Sequence, residues 1–262
     1  MIITSKDNET IKQVKKLKEK KYRDQENSFV IEGIKLLQEA ILENANIKMI
    51  VICEECIQDV ELNSVLKYEI AKYECIYVSK KIFLGLTSVV NPQGVLAVVE
   101  RNSNNMSIDY SSDLFLVLDN VQDPGNIGTI LRTADSLDLK QIIVSKDCAD
   151  IYNPKVVRST MGAIFRVNVI ESDDLIKSLK DMKKHKIKIV TTSLQTDKSM
   201  YDISYSKSAI VIGNEANGVS KEILDLADER VKIPMIGRTE SLNASVATAV
   251  ILYEAMRGKL KK

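Results

Sequence analysis

The stretch Ala209-Ile210-Val211-Ile212-Gly213-Asn214-Glu215-Ala216-Asn217-Gly218 decides how the chain is read. Four consecutive apolar residues suit a strand buried on both faces, and two glycines bracketing polar residues call for an irregular loop at its end. A second unit of the same kind follows. A short strand ends in Ile233, Pro234 and Met235, and the polar turn Glu240-Ser241-Leu242-Asn243 feeds a long apolar helix. Strands that run into polar loops gather backbone donors and acceptors at their ends, which is where open α/β sheets bind ligands. The last third of the chain therefore reads as a binding site.

Working upstream, residues 114–118 form another unbroken apolar strand, and residues 119–125 (DNVQDPG) form a turn. Asn126 is placed to cap the next helix, whose Ile127, Ile130, Leu131, Ala134 and Leu137 fill one stripe. At about 100° per residue Arg132 falls nearly opposite that stripe, toward solvent or ligand. Strands at 141–144, 166–170 and 187–192 alternate with helices at 154–160 and 174–184. Residues 193–207 make a long polar connection, and long loops in compact domains often carry function. The last helix, 244–257, is apolar on several sides through Val246, Ala247, Ala249, Val250, Ile251 and Leu252. That pattern predicts a cover beyond the sheet, such as a partner subunit, and Gly258 is placed to end the helix.

The first part of the chain alternates on a smaller scale. Strands are expected at 28–32, 48–53, 75–79 and 94–100, with helices at 33–42, about 60–72 and 80–86. This is a small α/β domain of residues 1–103, with 104–113 as an Asn- and Ser-rich linker and 114–262 as the second domain. Residues 1–23 hold eight basic residues, including Arg23, against three acidic ones. Ile11, Val14 and Leu17 give this predicted helix a narrow apolar stripe, leaving the lysines outward. Such a face suits a phosphate backbone, and it also suits plain solvent.

Several classes of function are excluded. The 262 residues carry a net charge of +1 and 45% apolar residues, the composition of a soluble globular protein. The first residues have no apolar core for a signal sequence and no apolar run approaches the roughly 20 residues of a membrane span, so a cytoplasmic protein is expected. The one histidine, His185, sits in the basic run Lys183-Lys184-His185-Lys186, which argues against histidine-rich metal sites and a Ser-His-Asp triad. Cys53 and Cys56 form a C-x-x-C, but Glu54 and Glu55 between them oppose thiolate formation and no second pair completes a zinc site. Residues 213–218 have phosphate-loop spacing but are followed by Val219-Ser220 in place of Lys-Ser/Thr, and Gly125-Asn126-Ile127-Gly128 lacks the three-glycine dinucleotide pattern. Neither ATP nor NAD is supported.

Three blocks together resemble the motifs of the SpoU/TrmH-type RNA ribose 2'-O-methyltransferases of the SPOUT superfamily. They are residues 126–134 (NIGTILRTA), residues 212–218 (IGNEANG), and Ile233-Pro234-Met235 continuing to residues 241–247 (SLNASVA). They occur in the family's order and spacing. The likeness covers residues 114–258, and residues 1–100 look like the ribosomal-protein-type RNA-binding domain found ahead of the catalytic domain in many members. The resemblance implies a SPOUT-type α/β domain with a deep trefoil knot, S-adenosylmethionine as cofactor, structured RNA, ribosomal by expectation, as partner, a homodimer, and no metal. It also implies cofactor contacts at Gly213, Ile233 and Leu242, and roles in catalysis and RNA binding for Asn126, Arg132, Glu215, Ser241 and Asn243.

Locally each of these residues also has a plain structural reading. Asn126 and Asn243 can be helix caps, Arg132 a surface arginine, Glu215 a carboxylate taking loop N–H bonds, and Ser241 a turn residue. The chemistry suits a site without histidine or metal. When a ribose hydroxyl attacks a methyl group on a sulfonium, opposite charges cancel along the reaction, so desolvation and alignment favour the transition state. A guanidinium keeps its proton, so Arg132 is expected to clamp phosphate and stabilise a developing oxyanion rather than act as a base. The rival expectation is a non-catalytic RNA-binding or ribosome-assembly protein of the same fold.

Overall fold

The computed structural model describes residues 2–56, 68–101 and 107–260. Its strands are β1 (Ile2–Ile3), β2 (Ser28–Glu32), β3 (Ile47–Cys53), β4 (Cys75–Val78), β5 (Val95–Glu100), β6 (Leu114–Leu118), β7 (Gln141–Ser145), β8 (Asn168–Ser172), β9 (Lys188–Thr192), β10 (Ser208–Ile212) and β11 (Glu229–Val231). Its helices are α1 (Glu9–Lys16), α2 (Lys20–Glu26), α3 (Ile34–Leu42), α4 (Lys80–Leu86), α5 (Pro124–Ser136), α6 (Pro154–Thr160), α7 (Leu175–Lys184), α8 (Lys221–Leu226) and α9 (Ala244–Leu260). The chain forms two compact units, Met1–Asn105 with Asp150–Phe165, and Met106–Ala149 with Arg166–Lys262.

In the first unit the sheet order is β1-β4-β3-β5-β2, parallel from β1 to β3 and antiparallel from β3 to β2. Successive side chains of a strand point to opposite faces. Val51 and Leu96 accordingly join Val14, Leu17 and Phe83 under α1 and α4, while Ile50, Ile52 and Ala97 join Leu37 of α3 in a second core. Val157 and Ile164 belong to that second core, and Tyr152 packs on Phe29 with ring centroids 4.8 Å apart. The Arg101 guanidinium lies over the other partner of that pair, 4.6 Å from the Tyr152 ring centre.

The single basic helix expected at the start is instead two, α1 and α2, broken between Leu17 and Glu19. Arg23 does not face outward but is 2% exposed. Its guanidinium donates to the carbonyls of Leu17 and Lys18 at 2.8 Å each and pairs with Asp150. A helix end leaves carbonyls without partners, and the forked guanidinium satisfies two of them at once. Most of the expected 60–72 helix lies outside the described residues.

The second unit is a six-stranded parallel sheet in the order β11-β9-β10-β6-β7-β8. A parallel sheet is covered on both faces, which is why β6 and β10 are buried at every position. Phe115, Val117, Ala209 and Val211 pack with Leu179 of α7 and Ile223 of α8, and α5 packs against α9. β10 and β6 are in register from Ser208 opposite Leu114 to Ile212 opposite Leu118, so the loops after them start side by side.

Four local expectations are corrected. Asp123, not Asn126, caps α5, accepting from the Asn126 N–H at 2.9 Å, because Pro124 suits the first helical position and starts the helix earlier. β11 stops at Val231, leaving Ile233–Pro234–Met235 in the connection, where Pro234 has no N–H to give a ladder. β8 begins at Asn168, two residues later than expected, after Arg166 is held by Asp135 through bonds of 3.0 and 2.9 Å. Finally, α9 runs through Gly258 to Leu260.

Two glycines make opposite predictions. A Cβ on Gly213 would lie 2.1 Å from the Gly218 carbonyl carbon and 2.2 Å from the Val219 nitrogen, whereas one on Gly258 meets nothing within 4 Å. Gly213→Ala should therefore cost about 3 kcal/mol or unfold the loop, and Gly258→Ala should stabilise by up to about 1 kcal/mol. Thermal unfolding of the two variants checks this, and equal shifts would refute it.

Candidate functional site

The site starts from the tight return of the chain after β10. With no side chain at Gly213, the backbone folds back on itself, and Asn214 and Gly218 exchange two N–H to carbonyl bonds of 2.9 Å. Gly218 holds this closure with φ +70°, a conformation that favours glycine. Asn214 organises the interior of the loop. Its Oδ1 accepts from the N–H groups of Ala216 at 2.9 Å and Asn217 at 3.1 Å, and its Nδ2 donates to the Asn120 carbonyl at 2.8 Å. The buried Asp119 accepts from the Ser220 N–H at 2.7 Å, tying the far side of the loop to the end of β6.

The loop so fixed presents Glu215 to the turn before α5. Its carboxylate accepts from the N–H groups of Gln122 and Asp123 at 3.2 Å each and from the Asn126 Nδ2 at 2.8 Å. Asn126 is buried, and its Oδ1 accepts from the Asn243 Nδ2 at 2.9 Å. Asn243 in turn accepts on Oδ1 from the Ser245 N–H at 2.9 Å and the Ser245 hydroxyl at 2.7 Å. Burial works to raise the Glu215 carboxyl, but the Asn126 side chain and the backbone N–H groups outweigh it and hold the group below the usual glutamate range. A continuous hydrogen-bond chain thus joins the β10 loop, the first turn of α5 and the start of α9.

Of the residues singled out from sequence, Asn126, Glu215 and Asn243 come together. Arg132 does not join them within one chain, because it lies six residues beyond Asn126, about 9 Å along the helix axis, and is exposed. Ser241 is exposed and makes no hydrogen bond among the described residues. Gly213 is buried, Ile233 and Leu242 are half-buried, and residues 233–242 make no backbone hydrogen bond among the described residues. A cleft of about 520 Å³ lies at the same end of the sheet, lined by Asp119, Asn120, Gln195, Asn214, Gly218 and Arg230 among others and by none of those three. His185 is remote from this chain of bonds in role as well, stacked on Tyr110 at 3.9 Å with its Nδ1 2.9 Å from the Asp181 carbonyl. Cys53 is buried with its thiol 3.4 Å from Glu55, and the Cys56 side chain lies outside the described residues.

Sequence reading passed over Asp119, Asn120, Asn214 and Ser245, which organise the site without facing it. The available signal was an Asn immediately after a strand-end glycine, and an Asp-Asn pair at the matching end of β6, both types that bond to nearby backbone. Because the Glu215 carboxyl is lowered in the fold, its contribution is full above the unfolded glutamate value and fades as pH falls through the lower folded one. Glu215→Gln should cost about 1 kcal/mol at neutral pH, and that difference should vanish at acid pH. Thermal unfolding across pH measures it, and a gap independent of pH would contradict the assignment.

Residues 113–253 match the SpoU rRNA Methylase family, and residues 8–97 match an MRM3-like substrate binding domain. The chain is 32% identical over 257 residues to the 23S rRNA (guanosine(2553)-2'-O)-methyltransferase RlmP of Bacillus subtilis, covering 98% of this chain and 99% of that protein. Among solved structures it is similar to the SpoU methyltransferase AviRb from Streptomyces viridochromogenes in complex with AdoMet, with TM-score 0.86, 26% identity and coverage of 97% and 98% of the two chains. It is also similar to the AdoMet-bound rRNA methyltransferase from Sinorhizobium meliloti, with TM-score 0.83, 28% identity and 98% coverage of both. The polar chain at the parallel strand ends and the extent of these matches lead to one assignment: the protein belongs to the SpoU rRNA methylase family.

Proposed function

We propose that this protein is an S-adenosylmethionine-dependent methyltransferase acting in the cytoplasm on a ribose 2'-hydroxyl of ribosomal RNA. The observation that carries the reading is the Glu215–Asn126–Asn243 chain, built where parallel strands end, in a protein whose full-length relative is named a 23S rRNA 2'-O-methyltransferase. Catalysis is preferred to RNA binding alone because those residues are retained and joined.

The local structure suits the cofactor. Gly213 offers bare backbone, Ile233 and Leu242 offer half-buried apolar side chains, and the backbone donors of residues 233–242 have no partner among the described residues. Gly213, Ile233 and Leu242 would hold the nucleoside through main-chain groups and apolar contact. S-adenosylmethionine, when bound, supplies an electrophilic methyl group on a sulfonium. The protein's own part is placement. Asn243 and Asn126 orient the ribose, and Arg132, exposed and without an ion pair among the described residues, grips a phosphate and stabilises the oxyanion as it develops.

The reading extends to chain path and assembly. Lys232 donates its N–H to the Lys198 carbonyl and accepts from the Met200 N–H, both at 2.9 Å, so the exit from β11 lies alongside Ser199 of the 193–207 loop in a parallel bridge. That path is consistent with the deep trefoil knot. Val246 and Tyr253 of α9 are each 48% exposed, an apolar side suited to a second copy of the chain in a homodimer. The first unit would bind RNA, with Lys15, Lys16, Lys20 and Lys21 all exposed on α1 and α2 and Lys16 and Lys21 flanking the Tyr22 ring.

The test is transfer from methyl-labelled S-adenosylmethionine to unmodified ribosomal RNA, followed by mapping of the product. The expected result is a single ribose methylation that Asn126→Ala lowers by about 100-fold or more. A methylated base, or no transfer to any ribosomal RNA, would overturn the reading.

A further inference from the structure

One buried hydroxyl at the site has no role in the reading above. Ser245 is 7% exposed, and both its N–H and its Oγ point at the same atom, Asn243 Oδ1, at 2.9 and 2.7 Å. An asparagine side chain can present oxygen or nitrogen in nearly the same space, so its orientation is set by its neighbours. Here both ends of the chain are fixed. Glu215, held in its ionised form, can only accept, so Asn126 must turn its Nδ2 toward it and leave Oδ1 for Asn243. The Ser245 N–H can only donate, so Asn243 must turn Oδ1 toward it and Nδ2 toward Asn126. The hydrogen bonds therefore run one way, from Ser245 to Asn243 to Asn126 to Glu215.

A side-chain amide has two N–H bonds, and Asn243 uses one of them on Asn126. Its oxygen is taken up by the N–H and hydroxyl of Ser245 and, at 3.4 Å, by the Val246 N–H, so what remains on this exposed residue is a single N–H. We propose that Ser245 is a positioning residue, whose hydroxyl locks the Asn243 amide so that it meets the substrate only as a donor to a ribose or phosphate oxygen. Without that hydroxyl the amide loses its shortest contact and is held only by the N–H groups of Ser245 at 2.9 Å and Val246 at 3.4 Å. The Ser245 N–H still sets which way round the amide lies, but an amide held by the longer bonds alone can swing, and its remaining N–H is then no longer held toward the substrate oxygen. The inference rests on the ribose methyl transfer proposed above.

The experiment compares wild type with Ser245→Ala and Ser245→Thr, using methyl transfer to ribosomal RNA and the Asn243 side-chain amide signals in NMR spectra of asparagine-labelled protein. Ser245→Ala should lower kcat about tenfold while the KM for RNA stays within about twofold, and the Asn243 amide signals should move. Ser245→Thr, which keeps the hydroxyl, should restore both. If the alanine variant does not fold, Ser245→Cys keeps the size with a weak donor and is read in the same way. An active wild type with an equally active variant, or unmoved Asn243 signals, overturns the positioning role alone. A wild type that transfers no methyl overturns the underlying reading and this one with it.

Discussion

A carboxylate that can only accept and a backbone N–H that can only donate stand at opposite ends of one hydrogen-bond chain, Glu215 at one and Ser245 at the other. Everything between them has one allowed orientation. That constraint spans segments far apart in sequence, since Asn126 and Asn243 are 117 residues apart and Asn126 and Glu215 are 89 apart. The bonds can form only if β6 and β10 end at the same level, which their residue-for-residue register ensures. The sheet thus acts as a ruler for the polar groups beyond it.

The loop after β10 converts that register into chemistry. Gly213 has no room for a Cβ, and the closure of Asn214 onto Gly218 sets Glu215 at the tip, where its carboxylate meets the turn before α5. Its charge is then held by three N–H donors rather than by a cation, which keeps the carboxylate ionised without covering the site with lysine or arginine. A reaction in which alkoxide and sulfonium charges cancel asks mainly for alignment in a partly dry site, and a rigid relay whose one charge is already met by N–H donors supplies alignment. Arg132 remains outside the relay and exposed, which suits the phosphate grip proposed for it.

Much of this was legible in the amino-acid sequence, and the gaps have physical causes. Unbroken apolar runs announced β6 and β10 because a doubly covered parallel strand has no polar face to alternate. The helical stripe of α5 showed which side Arg132 would occupy. The candidate site residues were named through motif likeness, and the structure adds how three of them touch. Local rules failed where a neighbour competed. Asn126 looked like a cap, but Asp123 takes that role ahead of Pro124 and frees the Asn126 amide for Glu215. Arg23 looked like one more surface cation until the break after α1 exposed two carbonyls for it to bind. Ser245 could not be recognised from sequence, since a buried hydroxyl takes its meaning from the amide it contacts.

The most direct measurement of the central claim is a high-resolution crystal structure with S-adenosylmethionine bound. The account predicts the nucleoside resting against the backbone of Gly213, Ile233 and Leu242, with Glu215, Asn126, Asn243 and Ser245 still bonded in one direction. A cofactor seated elsewhere in the molecule, or bound with the Asn126–Asn243 bond broken, would contradict it.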